Sequence, residues 1–231
     1  MVRHQLTGSS GFDSHPEIFY ATYTKNFEGG PLCYFWSGVP YYGGIRMLKK
    51  RELHESHVLY ELMTHRDVFP FVRQKAASYE EFLFLTKQTM EAEERGELIS
   101  RTILDEWGTP IGTITLFDIK SHAGFLGTWL GKPYHGQGYN KIAKEAFFQE
   151  LFYELEIETV FMRIRKENIR SRKAAEKLPY TMNANESRKT IYQELNATGE
   201  IYDLYEIPKD LYTLHLLRSG SPQEETQLLE A

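Results

Sequence analysis

The apolar and polar positions of the chain become regular from about residue 45, and their period changes from one segment to the next. The stretch 45–48 is typical of a short strand, and a helical spacing follows it. Ser78 and Glu81 match a capping box, in which two side chains satisfy free backbone N–H groups at a helix start. One strand and two helices are therefore predicted, and the second helix is expected to end near Gly96. The apolar face of the first helix is expected at Val58, Leu59, Leu62 and Met63.

Three strands are predicted next, at Ile99–Leu104, Ile111–Phe117 and Gly124–Leu130, from short runs rich in apolar residues. The turn-forming residues at 107–110 connect the first two strands tightly. Because strands joined by short turns pair in opposite directions, these three should form an antiparallel meander.

A helix, a strand and a second helix follow the meander. The first helix carries an apolar face with a spacing of four residues, the strand covers Thr159–Ile164, and Asn168–Leu178 forms the second helix before Pro179. Short strand-like runs continue to about residue 217. The fold class expected is α/β, with a mixed, mostly antiparallel sheet and one parallel β-α-β unit over 124–164 with a right-handed crossover. The apolar face of the first helix is formed by Ala143, Phe147, Leu151 and Leu155.

The first 44 residues differ from the rest of the chain. They contain seven of the 17 glycines and three of the nine prolines, and neither helical nor strand periodicity persists in them. Three interpretations stay open: a mobile arm, a segment packed on the main domain, or an extension upstream of a true start at Met47. We therefore expect an N-terminal extension at 1–44, one domain at 45–217 and a polar tail at 218–231.

Composition narrows the function classes. The chain has 231 residues, 41% of them hydrophobic, and a formal net charge of -5, which disfavours general nucleic-acid binding. Its one cysteine, Cys33, cannot form an internal disulfide, and a cytoplasmic location fits this. No apolar run is long enough for a membrane span, so no membrane association is expected. His54, His57 and His65 lack a further ligand at a typical motif spacing, so no metal is expected.

A glycine-containing loop lies between the third strand of the meander and the next helix. Glycines allow the backbone to approach an anion closely, and the first N–H groups of a helix attract negative charge. The spacing fits neither a P-loop nor a dinucleotide fingerprint, whose third glycine is replaced by Lys141. A helix start that merely contains glycines remains the alternative. The phosphate-binding segment predicted here is His135, Gly136, Gln137, Gly138, Tyr139 and Asn140.

Two motifs together resemble the GNAT superfamily of acyl-CoA N-acyltransferases. The loop is similar to that family's Gln/Arg-x-x-Gly-x-Gly/Ala pattern, and Asn168-Ile169-Arg170-Ser171 to its Asn-x-x-Ser/Ala signature. Glu176-Lys177 follows, as in the family, and 127–130 resembles the Rim-type branch, which acetylates ribosomal-protein N-termini and related amines. The resemblance covers about 45–207. This chain departs from the pattern at Pro133, at Pro179-Tyr180, and at Ala175, where many relatives carry a tyrosine acid.

The resemblance implies transfer of an acetyl group from acetyl-CoA to an amine. It implies that Trp129 and Leu130 supply backbone donors, that Asn168 binds the pantetheine arm, and that Ser171 serves as the catalytic group at the leaving sulfur. Residue types alone also allow Asn168 to be a helix cap and Ser171 an exposed helix serine. Asp118, His122 and Glu106 are conceivable bases, and none matches a family position.

The leading hypothesis is an acetyl-CoA-dependent N-acetyltransferase acting on a small molecule or a protein N-terminus. A non-catalytic acyl-CoA-binding or regulatory protein is the alternative, because the tyrosine and an obvious base are absent. A basic run over 163–177 allows three interpretations: a cofactor anion site, an RNA contact, or a solvated surface. A homodimer is left open, and the acceptor cannot be read from the sequence.

Overall fold

The strands form two separate sheets. The structure, a computed structural model, describes the backbone of 23–27, 30–34, 40–42, 45–199 and 201–220, and the side chains of 47–199 and 201–219. The smaller sheet has four antiparallel strands, in which β1 pairs with β2, β2 with β3 and β3 with β4. The strands are β1 (Tyr23–Phe27), β2 (Gly30–Tyr34), β3 (Pro40–Tyr42), β4 (Ile45–Arg46), β5 (Leu48–Lys50), β6 (Ile99–Leu104), β7 (Pro110–Lys120), β8 (Ala123–Leu130), β9 (Thr159–Arg165), β10 (Met182–Asn183) and β11 (Tyr202–Pro208).

Strand pairing was not foreseen within 1–44, because these strands are only three to five residues long and are interrupted by glycine and proline. The rest of that segment lies outside the described residues. The strand expected at 45–48 is divided between the two sheets. Ile45–Arg46 pairs with β3, whereas Leu48–Lys50 forms the edge of the larger sheet.

The larger sheet contains seven strands in the order β10-β11-β9-β8-β7-β6-β5. All neighbouring strands are antiparallel except β8 and β9, which are parallel and connected by a helix. The predicted fold class is therefore confirmed, including its single parallel unit. A meander made by β6, β7 and β8 precedes the parallel pair, as the sequence pattern predicted.

Helices cover both faces of the larger sheet. None of the helices in the described ranges is long and apolar enough to cross a membrane. The capping box at Ser78 forms: its Oγ accepts from the Glu81 N–H, and the Glu81 carboxylate accepts from the N–H of Ala77, one residue before the expected one. The helices are α1 (Ser56–Met63), α2 (Tyr79–Glu94), α3 (Tyr139–Gln149), α4 (Ile169–Glu176), α5 (Lys189–Leu195) and α6 (Lys209–Gly220), and a π-helical turn at Glu150–Glu154 continues α3.

Strand alternation separates two apolar layers. On one face, α3 packs its buried side chains against the central strands, and Tyr212 of α6 packs against Phe148 of α3. On the other face, α1 and α2 form a second cluster that includes Trp129, and α5 packs near Phe161. Since successive strand residues point to opposite faces, Phe125, Gly127 and Trp129 all lie on the α1–α2 side.

The segment after residue 180 corrects the expectation of strand-like runs only. Two strands form there, but α5 and α6 are helices. Between Leu211 and Leu217 the apolar residues of α6 are interrupted by Thr213 and His215, which are two residues apart as in a strand, so the period does not distinguish a strand from a helix. The usable signal was the start, where Asp210 lies in the first turn, two residues after Pro208. Helix α6 continues past residue 217, where the domain boundary was placed.

A largely buried ion-pair network joins β6 to α2 and to the π-helical turn at the end of α3. Arg101 is 6% exposed, and its Nε donates to Glu150 Oε1 at 2.8 Å. Its Nη1 contacts Glu93 of α2, whose side chain is only 16% exposed. Three elements distant in sequence are therefore held together by charges that must balance one another.

Replacing Arg101 by Met should destabilise the fold strongly, because Glu93 and Glu150 would be left without their counterion. We expect a loss of about 3–5 kcal/mol in the free energy of unfolding, measured by urea denaturation. The control is Arg95→Met, which removes an exposed arginine paired with Glu97 and should change the midpoint little. Equal effects of the two substitutions would show that the buried network contributes no more than a surface pair.

Candidate active site

The loop after β8 holds its backbone open at the start of α3. A 3₁₀ turn at Lys132–Tyr134 redirects the chain, and Gly136 and Gly138 then adopt φ values of +80° and +88°. A Cβ at either glycine would meet nothing within 4 Å, so the requirement for glycine comes from backbone conformation and not from space. Gly138 is the residue before the first turn of α3, whose leading N–H groups have no earlier carbonyl in the helix.

Side chains within the loop fix this conformation. His135 Nε2 lies 2.9 Å from the Leu130 carbonyl oxygen, and Gln137 Nε2 donates to the Pro133 carbonyl at 2.6 Å. The Tyr139 hydroxyl donates to the Glu106 carboxylate, which belongs to the β6–β7 hairpin. Within the segment the His135 N–H donates to the Lys132 carbonyl at 3.2 Å, and the N–H groups at the start of α3 have no earlier carbonyl of the helix to bond. Asn140 is exposed at the same helix start.

The strands β8 and β9 separate at the loop side of the sheet. Their ladder contains three pairs and stops at Phe125↔Phe161. Beyond this point β8 continues to Leu130 paired only with β7, and β9 continues to Arg165 paired with β11. A wedge-shaped gap therefore opens between two strands that are each held from the outside. No pattern of side chains in the sequence predicts this gap.

The direction of the backbone groups along β8 follows from one bond. The Gly131 N–H donates to the Ile111 carbonyl at 2.8 Å, so odd-numbered residues of this part of β8 face β7. The N–H groups of Thr128 and Leu130, which lie beyond the last β8–β9 pair, consequently point into the gap, whereas that of Trp129 points toward β7. Of the two residues expected to supply backbone donors, Leu130 has the orientation that can serve a ligand in the gap.

Helix α4 begins on the other side of the gap. The Asn168 Oδ1 accepts from the Ser171 N–H at 3.1 Å, so Asn168 caps the helix, and Ser171 is partly buried one turn later. The amide Nδ2 of Asn168 keeps its donor capacity for a second partner. Because β8 and β9 are parallel, their carboxyl ends meet at one edge of the sheet, and the loop and Asn168 lie there together.

Two buried polar atoms near the gap have no protein partner. They are the Thr128 hydroxyl on β8 and Nδ1 of His135 in the loop. Burying a polar atom without a hydrogen bond is costly, and such atoms are uncommon in native proteins. Their position at the gap and in the loop fits a polar ligand that runs from one to the other.

Two lysines near this helix start, Lys141 and Lys144, differ in their surroundings. Lys141 is exposed and lies 3.9 Å from Glu145, whereas Lys144 is partly buried one turn further along α3. Loss of hydration lowers the pKa of the Lys144 ammonium to about 8, although part of the residue remains solvent-accessible. An approaching anion would favour its charged form.

The three conceivable bases lie in different places. Glu106 is bonded to Tyr139 beside the loop. Asp118 lies at the far end of β7 and pairs with Arg73 at 3.5 Å. His122 lies in the turn between β7 and β8, and its ring contacts the Glu156 carbonyl. It is eight residues from Leu130, a distance of roughly 26 Å along an extended strand. Of these three residues, Asp118 lies nearest in register to the point where the strands separate, because its neighbour Phe117 pairs with Phe125.

Part of the basic run has a structural explanation. Arg172 Nε lies 3.0 Å from the buried carboxylate of Asp203, and Lys166 lies 4.0 Å from the same group. These contacts attach α4 to β11. Arg170, Lys173 and Lys177 remain exposed on α4.

The histidines considered for metal binding have separate local contacts. His57 lies near Glu61, and the His65 ring accepts from the Asp67 N–H. His54 belongs to a group with Glu52 and Glu55 whose ligand atoms lie within 4.8 Å of one another. The Lys49 ammonium already contacts both carboxylates of that group, at 3.2 and 2.7 Å. An ammonium group therefore already pairs with both carboxylates.

Comparison with known proteins agrees with this architecture. Residues 46–181 match the family profile described as the acetyltransferase (GNAT) domain. A nucleotide-linked sugar GNAT, FdhC, has a TM-score of 0.60 at 15% identity, covering 74% of this chain and 91% of that one. A chimera of the Vibrio cholerae spermidine N-acetyltransferase SpeG and hSSAT has 0.56 at 14%, covering 72% and 96%. RimL, a ribosomal L7/L12 alpha-N-protein acetyltransferase, has 0.55 at 17%, covering 69% and 86%.

The profile spans well over half of the 231 residues, from β4 to the start of β10, and includes the loop, the gap and α4. The chain belongs to the GNAT acetyltransferase family. The structural neighbours share its fold at low identity. No curated protein sequence matches the chain.

Replacing Lys144 by Met should stabilise the protein at neutral pH, because the folded chain no longer has to desolvate an ammonium. We expect a gain of roughly 1–2 kcal/mol at pH 7, measured by urea unfolding. The folded-state pKa of about 8 lies below the ordinary 10.5, so between these values the unfolded chain binds the additional proton. The stability of the native protein therefore rises with pH in that window, and the advantage of Met should shrink.

The control for this prediction is Lys141→Met, at the exposed lysine of the same helix, which should show no such pH-dependent difference. A constant difference between native protein and Lys144→Met from pH 7 to pH 10 would contradict the assignment of a desolvated amine.

Proposed function

We propose that the protein transfers an acetyl group from acetyl-CoA to a primary amine of a small molecule or a protein N-terminus. The carrying observation is the gap between β8 and β9, with the glycine loop at the end of one strand and Asn168 at the end of the other. Family membership supports acyl transfer in general, and the identity of donor and acceptor is the proposal.

The loop and the gap have complementary roles in this proposal. The N–H groups of Gly136, Gln137, Gly138 and the first turn of α3 bind the pyrophosphate, helped by the partial positive charge of the helix start. The pantetheine arm lies in the gap as an extended chain, where the Thr128 backbone and the Asn168 amide can bond to its amides. The Thr128 hydroxyl and His135 Nδ1 would gain partners.

The transfer step requires three groups of the chain: a base, a donor to the carbonyl oxygen and a donor to the leaving sulfur. The amine must lose a proton before it attacks, and of the three candidate bases Asp118 lies nearest to the point of strand separation. The carbonyl oxygen that becomes negative needs an N–H donor directed into the gap, which the orientation of β8 supplies. Ser171 would donate to the leaving sulfur directly or through water, since Ala175 leaves no tyrosine at the family position.

The finer assignments made from the sequence enter here as proposals. We propose the Rim-type branch, with RimL among the structural neighbours in support at low identity. The catalytic domain is proposed to extend over 45–217, with residues 1–44 as an extension and 218–231 as a tail. A cytoplasmic location, no nucleic-acid or membrane partner, and no metal stay predictions from the sequence, and a homodimer stays open.

The alternative is a protein that binds acyl-CoA without turning it over. The missing tyrosine favours it. Incubation with acetyl-CoA and a panel of amines and N-terminal peptides, with release of free thiol measured, separates the two functions. Turnover on any acceptor supports the transferase, whereas tight acetyl-CoA binding without turnover supports the alternative. If acetyl-CoA does not bind at all, both functions are excluded.

The loop itself can be tested by Gly138→Asp, which places a carboxylate where phosphates should bind. We expect acetyl-CoA affinity to fall at least about tenfold in calorimetry, because like charges a few ångströms apart repel. The matched control is Gly199→Asp: Gly199 also has a positive φ, of +92°, and open space around it, so the backbone strain is similar. Unchanged affinity in Gly138→Asp, or an equal loss in both variants, would mean that the loop is not the phosphate site.

A further inference from the structure

An aromatic ladder crosses the face of the sheet opposite α3, next to the gap. Phe117 and Phe125 lie on adjacent strands with ring centroids 6.1 Å apart, and Phe125 and Phe161 follow at 5.6 Å. Phe125↔Phe161 is also the last pair before β8 and β9 separate. The ladder therefore ends at the mouth of the gap, between the α1–α2 cluster on one side and α5 on the other.

Two arginines converge on the first ring of this ladder. The guanidinium carbon of Arg73, from the segment between α1 and α2, lies 3.3 Å from the Phe117 centroid. That of Arg163 on β9 lies 5.3 Å from the same centroid and 5.8 Å from that of Phe125. Arg163 is two residues beyond Phe161 on the same face of the strand, so it borders the open gap.

The positive charge of this pair is only partly balanced. Arg73 lies 3.5 Å from Asp118, a contact in which both side chains are about half exposed. Arg163 has no carboxylate within 4.0 Å among the residues that the structure describes. Burial lowers the pKa of the Arg73 guanidinium and the charge of Arg163 lowers it further, while Asp118 acts in the opposite direction. One carboxylate thus faces two guanidinium groups.

A neighbouring arginine, Arg188, also lies over a ring of the ladder, but its charge is paired within the fold. Arg188 lies 5.8 Å from the Phe161 centroid, and its Nε lies 2.7 Å from the buried carboxylate of Glu206. Its charge is therefore fully matched within the fold. The Arg73–Arg163 pair lacks such a match and lies over the rings that border the gap.

We propose that the acceptor amine carries an oxyanion, a carboxylate or a phosphate, which Arg163 and Arg73 bind above Phe117 while the amine points to the gap. Planar guanidinium groups bind such anions through paired N–H donors, and an aromatic ring below them keeps them in place. A polyamine, which brings only positive charge, would be repelled here. This inference rests on the proposed function and narrows its acceptor class.

Matched acceptors test the inference through turnover. Phenylalanine is compared with phenylalaninamide, and phosphoethanolamine with ethanolamine. The members of each pair differ in the anion, and the two pairs together distinguish a carboxylate from a phosphate. Spermidine is the cationic competitor. We expect kcat/KM from thiol release to be higher for the anionic member of at least one pair. Arg163→Gln should remove this preference by raising KM at least about tenfold while kcat and acetyl-CoA affinity hold. Preference for the neutral members or for spermidine would overturn the proposal.

A second measurement does not depend on turnover. Calorimetry with benzoate, phenyl phosphate and the neutral benzamide should show binding of at least one anion to the full chain and none of benzamide. That binding should be lost in Arg163→Gln and in Arg73→Gln, and kept in Arg95→Gln, an exposed arginine away from the ladder. It should also be kept in Gly138→Asp, which separates this site from the loop. No anion binding, or binding unaffected by Arg163→Gln, would refute the site even if acetyl transfer is observed.

Discussion

The candidate site depends on one constraint, the short ladder between the two parallel strands β8 and β9. Three residue pairs hold them, and beyond Phe125↔Phe161 each strand bonds only to its outer neighbour. The sheet is therefore continuous at one end and divided at the other, with unpaired backbone groups along the inner edge of β8. Backbone groups inside a protein need partners, so a divided sheet of this kind calls for an extended ligand that acts as a temporary strand.

What keeps the gap open is packing on the two sides of it. On the β8 side, α3 and the meander form the main core, and the Arg101 network attaches the end of α3 to α2 and β6. On the β9 side, Arg172 and Asp203 attach α4 to β11. Each half has its own buried interactions, so closing the gap would require one of these sets to be disrupted. The separation is thus a property of the fold itself.

Much of this could be predicted from the sequence, because local rules apply to it. The positive-φ glycines of the loop, the cap at Asn168 and the order of elements from β6 to α4 each follow from short-range patterns. The gap could not be predicted from the sequence, because it depends on where neighbouring strands stop pairing. Arg73 was missed for the same reason: it meets Phe117 only through tertiary packing. Helices α5 and α6 were missed because α5 is short and the apolar residues of α6 fit a strand as well as a helix.

The contact between α1 and the loop has a consequence for how this site can change over evolution. Gly131 begins the loop, and a Cβ there would lie 2.6 Å from the Leu62 side chain, so this pair of positions is locked by size. Asp67 and Lys132 add an exposed ion pair between the segment after α1 and the loop. In the proposed function, a larger residue at position 131 would therefore disturb the donor site through α1, whereas substitutions on the faces of α1 and α2 away from Leu62 would act on the acceptor.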